Sequence, residues 1–388
     1  MAGRLRAGTG VSRSQNALEA GREAAAAAVA KLEGQAPAVV IVFATPCLDL
    51  SALLRGVRDV SGDAVLVGST GTGELVQGEY VGLGQGVGVL AMTAGPYRFG
   101  AASAAHVGGA LEEVGQDLAR RSRAEAGKSP YAAVLLVSDQ LMGDLQGLTQ
   151  GVYKVGGPRV SIVGGGAGDE YRNVHSQVFH NGEVVEQGVA ALWIASDTPL
   201  QVVTRHGWKP FGTPMLVTKA EGTTIHELGG RPAIPVYAEQ IGRSLDELAP
   251  ERFLPISAMY PLGILQSDGS RVIRLSYARV GNGLVIHGCL PPPGCAVQVM
   301  TATVDELLAV GDEVIPAALA ARPDAGVVLV FSCAARGFVF GDRVGEEAPR
   351  LQKLAGNVPV FGLYTHAEFA RTAGVLATHN ETLTALAL

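Results

Sequence analysis

The sequence predicts an α/β protein of two domains, with mixed, largely parallel sheets built from repeated βαβ-like units and extended by antiparallel strands. Three observations carry that prediction. Short apolar runs, too brief for helices, alternate with stretches of helical period; the alternation recurs three times along the chain; and each recurrence ends on a glycine-rich turn. At 388 residues the chain exceeds the size at which single cores stop growing, so two domains are expected.

The elements follow in order. Ser14 can cap a helix over residues 15–31, ended by Gly34 and Pro37. Residues 38–45 (AVVIVFAT) read as a strand buried on both faces. A helical stretch over 49–60 and a second buried strand over 64–68 complete a βαβ unit. The unit recurs as strand 131–138, helix 143–155 and strand 160–164, and again as strand 326–332, helix 345–355 and strand 358–362. After the second strand the three turns read GSTGTGE (68–74), GGGAGDE (164–170) and GLYTHAE (362–368), each with a glutamate six residues after its first glycine. Alternating segments at 86–92, 176–187, 190–194 and 271–280 suit antiparallel strands, with Asn181-Gly182 as a hairpin turn because both positions accept positive φ. Gly and Pro punctuate residues 229–235 before a helix expected over 236–248, which puts the domain boundary near 232 and gives domains 1–232 and 233–388. Residues 372–388 read as a final strand pair.

Composition narrows the function. A net charge of −6 and the absence of basic runs argue against nucleic acid and against anionic membrane surfaces. The longest apolar runs fall well short of the ~20 residues that span a bilayer, and the first residues lack a secretory pattern. A cytoplasmic protein without membrane insertion is expected. Four scattered cysteines suit that compartment. Glycine, at 52 residues, is roughly twice its usual ~7%, so the fold needs many tight turns or close backbone approaches.

The segments at 67–74, 163–169, 235–237, 331–337 and 361–368, in this order and spacing, resemble those of the FIST proteins, with both the N-terminal and C-terminal halves present. The resemblance implies a bacterial or archaeal sensory module that binds small ligands such as amino acids. It further implies a signalling partner: a histidine kinase, a methyl-accepting receptor or a cyclic-nucleotide enzyme. Some members bind haem and sense nitric oxide. No output domain is evident, so the signal would pass to a separate protein. The last turn departs from the family pattern, with His366-Ala367-Glu368 where Tyr-Gly-Glu is usual.

Candidate binding residues come from the turns. Backbone N–H groups at Gly71, Gly165 and Gly166 could hold a carboxylate, Ser69 and Thr70 add hydroxyls, and Glu74, Asp169 and Glu368 could hold an ammonium group. Tyr364 and Thr365 lie on the third turn. The plainer alternative is that these glycines only let strands reverse and layers approach. Arg336 could clamp a carboxylate with its planar fork. Cys333 could act as a nucleophile in acyl or amide chemistry with His366 or another histidine as base, although a buried cysteine is often a small hydrophobe. Catalysis is not expected. His206, beside Trp208 and Phe211, is the candidate haem ligand. His287, Cys289 and Cys295 are spaced too widely for a structural zinc site, so no metal is expected.

Overall fold

The computed structural model describes residues 3–143, 145–267, 269–288, 290–370 and 378–388. The first unit runs β1 (Ala7–Ser12), α1 (Ala17–Ala30), β2 (Val39–Ala44), α2 (Leu50–Ser61), β3 (Val65–Thr70), β4 (Glu74–Val76), β5 (Glu79–Val81) and β6 (Val87–Met92). The second repeats that order: β7 (Arg98–Ala104), α3 (Leu111–Ala126), β8 (Tyr131–Asp139), α4 (Gln146–Gly156), β9 (Val160–Ala167), β10 (Gln177–His180), β11 (Glu183–Glu186) and β12 (Val189–Ser196).

The third unit starts at β13 (Val202–Arg205) and is then interrupted. The insertion holds β14 (Lys209–Pro210), β15 (Met215–Glu221), β16 (Thr224–Leu228), β17 (Arg231–Pro232), α5 (Ala233–Ile241) and α6 (Pro250–Met259). It continues with β18 (Leu262–Leu265), β19 (Arg271–Arg274), β20 (Ser276–Val280), β21 (Gly283–Ile286) and β22 (Ala296–Thr301), and its strands form a nine-stranded sheet of their own. The third unit resumes with α7 (Val304–Leu308), α8 (Gly311–Ala321), β23 (Val328–Cys333), α9 (Ala334–Phe340) and α10 (Glu347–Ala355). It closes with β24 (Val360–Thr365), β25 (Glu368–Ala370), β26 (Thr378–His379) and β27 (Leu383–Ala387).

Each unit builds a six-stranded sheet by lending a hairpin to another unit. The sheets run β1-β6-β2-β3-β10-β11, β7-β12-β8-β9-β25-β26 and β13-β27-β23-β24-β4-β5. The first unit thus completes the third sheet, the second completes the first, and the third completes the second. That closed exchange gives a pseudo-threefold arrangement. The inner faces of the three sheets share one core, where Phe43 stacks on Phe361 at 5.2 Å and meets Phe331 edge-on at 6.2 Å.

The expected largely parallel sheets are corrected by this topology. Parallel pairing is confined to β2 with β3, β8 with β9 and β23 with β24, and every other described pair is antiparallel. A parallel neighbour needs a helical crossover, and the lent hairpins and returning strands β6, β12 and β27 bring no such crossover between neighbours.

The predicted repeat is present, and register shows which residues correspond. Gly68, Gly164 and Gly362 stand opposite Val42, Leu136 and Val330 in the three parallel pairs. A Cβ on any of them would lie 1.9, 1.9 or 1.7 Å from that partner's carbonyl oxygen, so the neighbouring backbone demands glycine. Glycine also sets the helix crossings: a Cβ on Gly21 or Gly56 would fall 2.1 Å from the carbonyl oxygen of Leu53 or Leu18 across α1 and α2, and Gly115 and Gly151 do the same across α3 and α4. Close packing thus accounts for part of the glycine excess, and turns with positive φ for much of the rest.

One part of the repeat reading is corrected. Glu74 and Glu368 occupy equivalent places, each opening its lent hairpin one residue before the partner of the repeat glycine, but the second unit has Val178 there and not Glu170. From Gly164 to Val178 is 14 residues, against 6 from Gly68 to Glu74 and 6 from Gly362 to Glu368, so eight additional residues form a loop. The common six-residue spacing to Glu170 was coincidental.

Smaller departures have local causes. Asn16, not Ser14, caps α1 by accepting the Glu19 N–H. Helix α5 stops at Ile241 because Gly242 takes the left-handed conformation, earlier than the expected 248. The Asn181-Gly182 hairpin forms as read, with φ of 48° and 88°. The 232/233 division falls between β17 and α5, inside the inserted sheet. Of the final strand pair, β26 and β27 are described, while residues 371–377 lie outside the described residues.

Candidate functional site

The second unit's longer loop and the third unit's inserted sheet, the two departures from the repeat, meet at one cavity of about 380 Å³. It opens at the C-terminal ends of β8, β9, β23 and β24, the edge where α/β sheets gather ligands. Gln140 and Leu141 come from the turn after β8, Tyr171 and Asn173 from the longer loop, and Cys333, Ala335 and Phe338 from the end of β23 and from α9. The insertion supplies Leu254 from α6, Leu275 and Tyr277 beside and on β20, and Ile286 and His287 at the end of β21. His366 and Asn380 complete it from the third unit's own turns.

The loop is fixed by Asp169, whose carboxylate accepts the backbone N–H groups of Asn173, Val174 and His175 at 2.8, 2.6 and 3.0 Å. Burial works against its charge, yet these three donors win and hold its carboxyl below the usual range. Glu170, Tyr171 and Asn173 all have positive φ (58°, 67° and 53°), a concentration of costly backbone in one loop. Glu170 accepts from the Thr45 hydroxyl and the Gly84 N–H, both at 2.5 Å, which ties the loop to the first unit. The Tyr171 hydroxyl donates to the Ala334 carbonyl at 2.9 Å, which ties it to the third.

Two histidines face the cavity. His287 accepts at Nδ1 from the Asn380 side-chain amide at 3.3 Å, and His366 pairs through Nε2 with the Thr72 hydroxyl at 3.0 Å. Burial lowers both to about 4; the Arg274 charge adds to this at His287, and repulsion between the two rings adds to it at His366. Both are neutral at ordinary pH. The folded-state value lies below the unfolded one near 6.5, so each neutral ring contributes stability that is present above about pH 6.5 and lost as pH falls toward 4. Glu368 works in the opposite direction: burial pushes it up to about 7 against the hydrogen bonds from Thr382 and Thr365, so its contribution is lost as pH rises through 7. The useful measurement is therefore a difference. Urea unfolding of wild type and His287→Gln should show the stability gap narrowing, or reversing, by on the order of 2 kcal/mol between about pH 7 and pH 5; a gap independent of pH would contradict the neutral buried ring.

Of the candidate binding residues singled out in the sequence, Cys333 lines this cavity and the others lie elsewhere; His366 and His287, weighed as a base and a zinc ligand, line it as well. The turn N–H groups are already committed: Gly71 donates to the Ala44 carbonyl, Thr72 to Tyr364, Gly166 to Ala367 and Gly168 to Thr70. They stitch the three turns together and present no anion nest. Gly165 sits in the β9–β25 ladder, where a Cβ would fall 2.4 Å from the Ala367 carbonyl oxygen. Ser69 is buried, and Thr70 exchanges hydrogen bonds with the Gln177 backbone. Glu74 is buried with neither carboxyl oxygen hydrogen-bonded among the described residues, and burial holds it well above the carboxylate range. Tyr364, Thr365 and Glu368 are inside the core, with Thr365 donating to Glu368 at 3.0 Å. Asp169 does not line the cavity itself but stands behind two residues that do, Gln140 at 3.5 Å and Asn173 at 2.8 Å.

Arg336 is turned away from the cavity and fully buried. Its guanidinium donates to Glu347 at 2.6 Å, to the Leu307 carbonyl at 3.1 Å and to the Ser332 hydroxyl at 3.1 Å. Its Nη1 is buried without a hydrogen-bond partner among the described residues, but Arg336 is not part of the cavity lining. The Cys333 thiol is pushed well up, first by burial and then by the Glu368 and Glu381 carboxylates, which keeps it protonated. His206 borders a separate cleft of about 410 Å³ and accepts the Trp208 N–H at Nδ1. That cleft is edged by Arg205, Arg271 and Glu313, which does not fit the apolar slot a porphyrin requires. Among the described residues, no group of three or more His, Cys, Asp or Glu side chains could hold a metal ion, and Cys289 lies outside them.

Fold and cavity together define a pseudo-threefold repeat protein with a ligand-sized cavity where the repeat is broken. The chain belongs to the FIST family: the FIST N domain matches residues 38–231 and the FIST C domain residues 233–371. Similar sequences include uncharacterized proteins of Mycobacterium tuberculosis, 27% identical over 236 residues, 58% of this chain and 60% of theirs. The chain thus spans about 60% of the length of these curated relatives. An uncharacterized protein of Methanocaldococcus jannaschii is 26% identical over 122 residues, 29% of this chain and 24% of its own. Among solved structures, cyanuric acid hydrolase from A. caulinodans aligns over 99% of both chains at 11% identity with a TM-score of 0.35. Among the described residues, no helix is long and apolar enough to cross a membrane.

Proposed function

We propose that this protein is a ligand sensor that binds a small metabolite in the cavity between the longer loop and the inserted sheet. The observation that carries this reading is the convergence of both symmetry-breaking segments on one mainly apolar cavity. Its walls come from chain segments far apart in sequence, so a ligand touching all of them favours one relative placement of the insertion, and that differential affinity is what a sensor needs. The signal would pass to a separate protein such as a histidine kinase or cyclic-nucleotide enzyme. Binding without turnover is part of the proposal, and the protonated, buried Cys333 supports it against acyl or amide chemistry. An amino acid or other carboxylate lost its strongest support when Arg336 proved to be paired with Glu347.

A thermal-shift screen tests the reading. Wild-type protein should be stabilised by at least one compound, by about 3 kcal/mol at a hundredfold excess over Kd. Ala335→Leu, which fills the cavity wall, should lose the response while keeping its own melting transition. An undiminished response in Ala335→Leu would overturn the site.

A further inference from the structure

The cavity's chemistry narrows what it can take, on the reading that it is a binding site. Its side-chain polar groups are imidazoles and carboxamides, together with the hydroxyls of Tyr171, Thr223 and Tyr277 and the Cys333 thiol. His287 accepts at Nδ1 from Asn380, which leaves its proton on Nε2 as a neutral donor. Asn380 is itself held, donating also to the His379 carbonyl at 3.0 Å and accepting the Leu275 N–H at 3.4 Å, so the ring is fixed. The Gln140 amide nitrogen turns toward Asp169 and Asn173, each at 3.5 Å, which leaves its carbonyl oxygen as a neutral acceptor. Asp169, the carboxylate behind Gln140, is spent on three N–H groups of its own loop. Aromatic rings wall the space: Tyr171 and Phe338 meet with centroids 4.5 Å apart, and Tyr171 lies 6.0 Å from the His366 ring.

Among the described lining residues there is no lysine, arginine, aspartate or glutamate. An ionised carboxylate entering this space would give up its hydration without gaining a counter-charge. A flat neutral molecule meets no such cost and stacks on the aromatic walls. We propose that the cavity recognises an uncharged, planar ring compound bearing both a hydrogen-bond donor and an acceptor, the arrangement found in an aromatic carboxamide.

Matched pairs that differ only in charge test this directly: nicotinamide against nicotinate, and benzamide against benzoate, each followed by thermal shift near neutral pH. At least one amide should raise the melting temperature, with its acid about tenfold weaker or more. Thr223→Trp, an exposed position on the cavity wall, should abolish the shift and serves if Ala335→Leu fails to fold. An acid that binds as well as its amide, with the response lost in the filled variant, would overturn the neutral class and leave the cavity standing. A shift that survives in the filled variants would overturn the cavity. No response to either amide at about 10 mM would overturn the neutral class.

Discussion

Gly362→Ala is expected to remove the native fold or cost about 4 kcal/mol or more, a large share of the 5–15 kcal/mol that holds a typical domain. The added Cβ would stand 1.7 Å from the Val330 carbonyl oxygen, and that oxygen belongs to the neighbouring parallel strand, not to a side chain that can swing aside. Relief requires parting β23 from β24, and β24 also carries the hairpin lent by the first unit, so two interfaces open together. Gly68→Ala and Gly164→Ala meet the same obstacle in their own sheets, at 1.9 Å each. Gly345→Ala is the control, with nothing within 4 Å of the new atom. Denaturant unfolding should place Gly345→Ala within about 0.5 kcal/mol of wild type. A Gly362→Ala protein equally close to wild type would contradict the paired register.

Arg336→Ala should destabilise by about 3–5 kcal/mol, because it strands the Glu347 carboxylate in the core. Both partners are almost wholly inaccessible, so neither can turn to solvent. Three hydrogen bonds from the guanidinium, joining α10, α7 and β23, go with it. Replacing the pair together, Arg336→Met with Glu347→Leu, should cost much less than either single loss, since apolar side chains of similar volume carry no charge to bury. The measurement is a double-mutant cycle in urea. Arginine serving as a ligand clamp would give the reverse pattern: near-normal stability with lost binding.

The three-unit fold was largely legible because its signals are local. Apolar runs at 38–45, 131–138 and 326–332 mark the first parallel strand of each unit, and the following glycine marks the second. What could not be read was how the units complete one another. The hairpins at β4–β5, β10–β11 and β25–β26 look in sequence like extensions of their own units, and only long-range pairing shows that each is lent. That misled the parallel assignment, and it made Glu170 look like the partner of Glu74 and Glu368.

The site was less legible, for a related reason. Glycine-rich turns suggested an anion cradle, but their N–H groups are consumed where the three turns meet, a contact between residues as distant as Thr72 and Tyr364. Cys333 was recognised because it ends a buried strand. His287 and His366 were weighed in other roles, and Gln140, Tyr171, Asn173 and Asn380 were missed. One signal was available: the position matching Glu74 and Glu368 is Val178, fixed by the Asn181-Gly182 hairpin, eight residues later than the other units allow. A length difference between otherwise matched repeats pointed to the loop that walls the cavity.

The central claim is that the ligand sits where the repeat is broken. The crystal structure of the protein soaked with the compound that stabilises it most tests this directly. The account predicts ligand density between His287 and His366, against the Tyr171 and Phe338 rings. Density confined to another place, such as the His206 cleft or the protein surface, would contradict it.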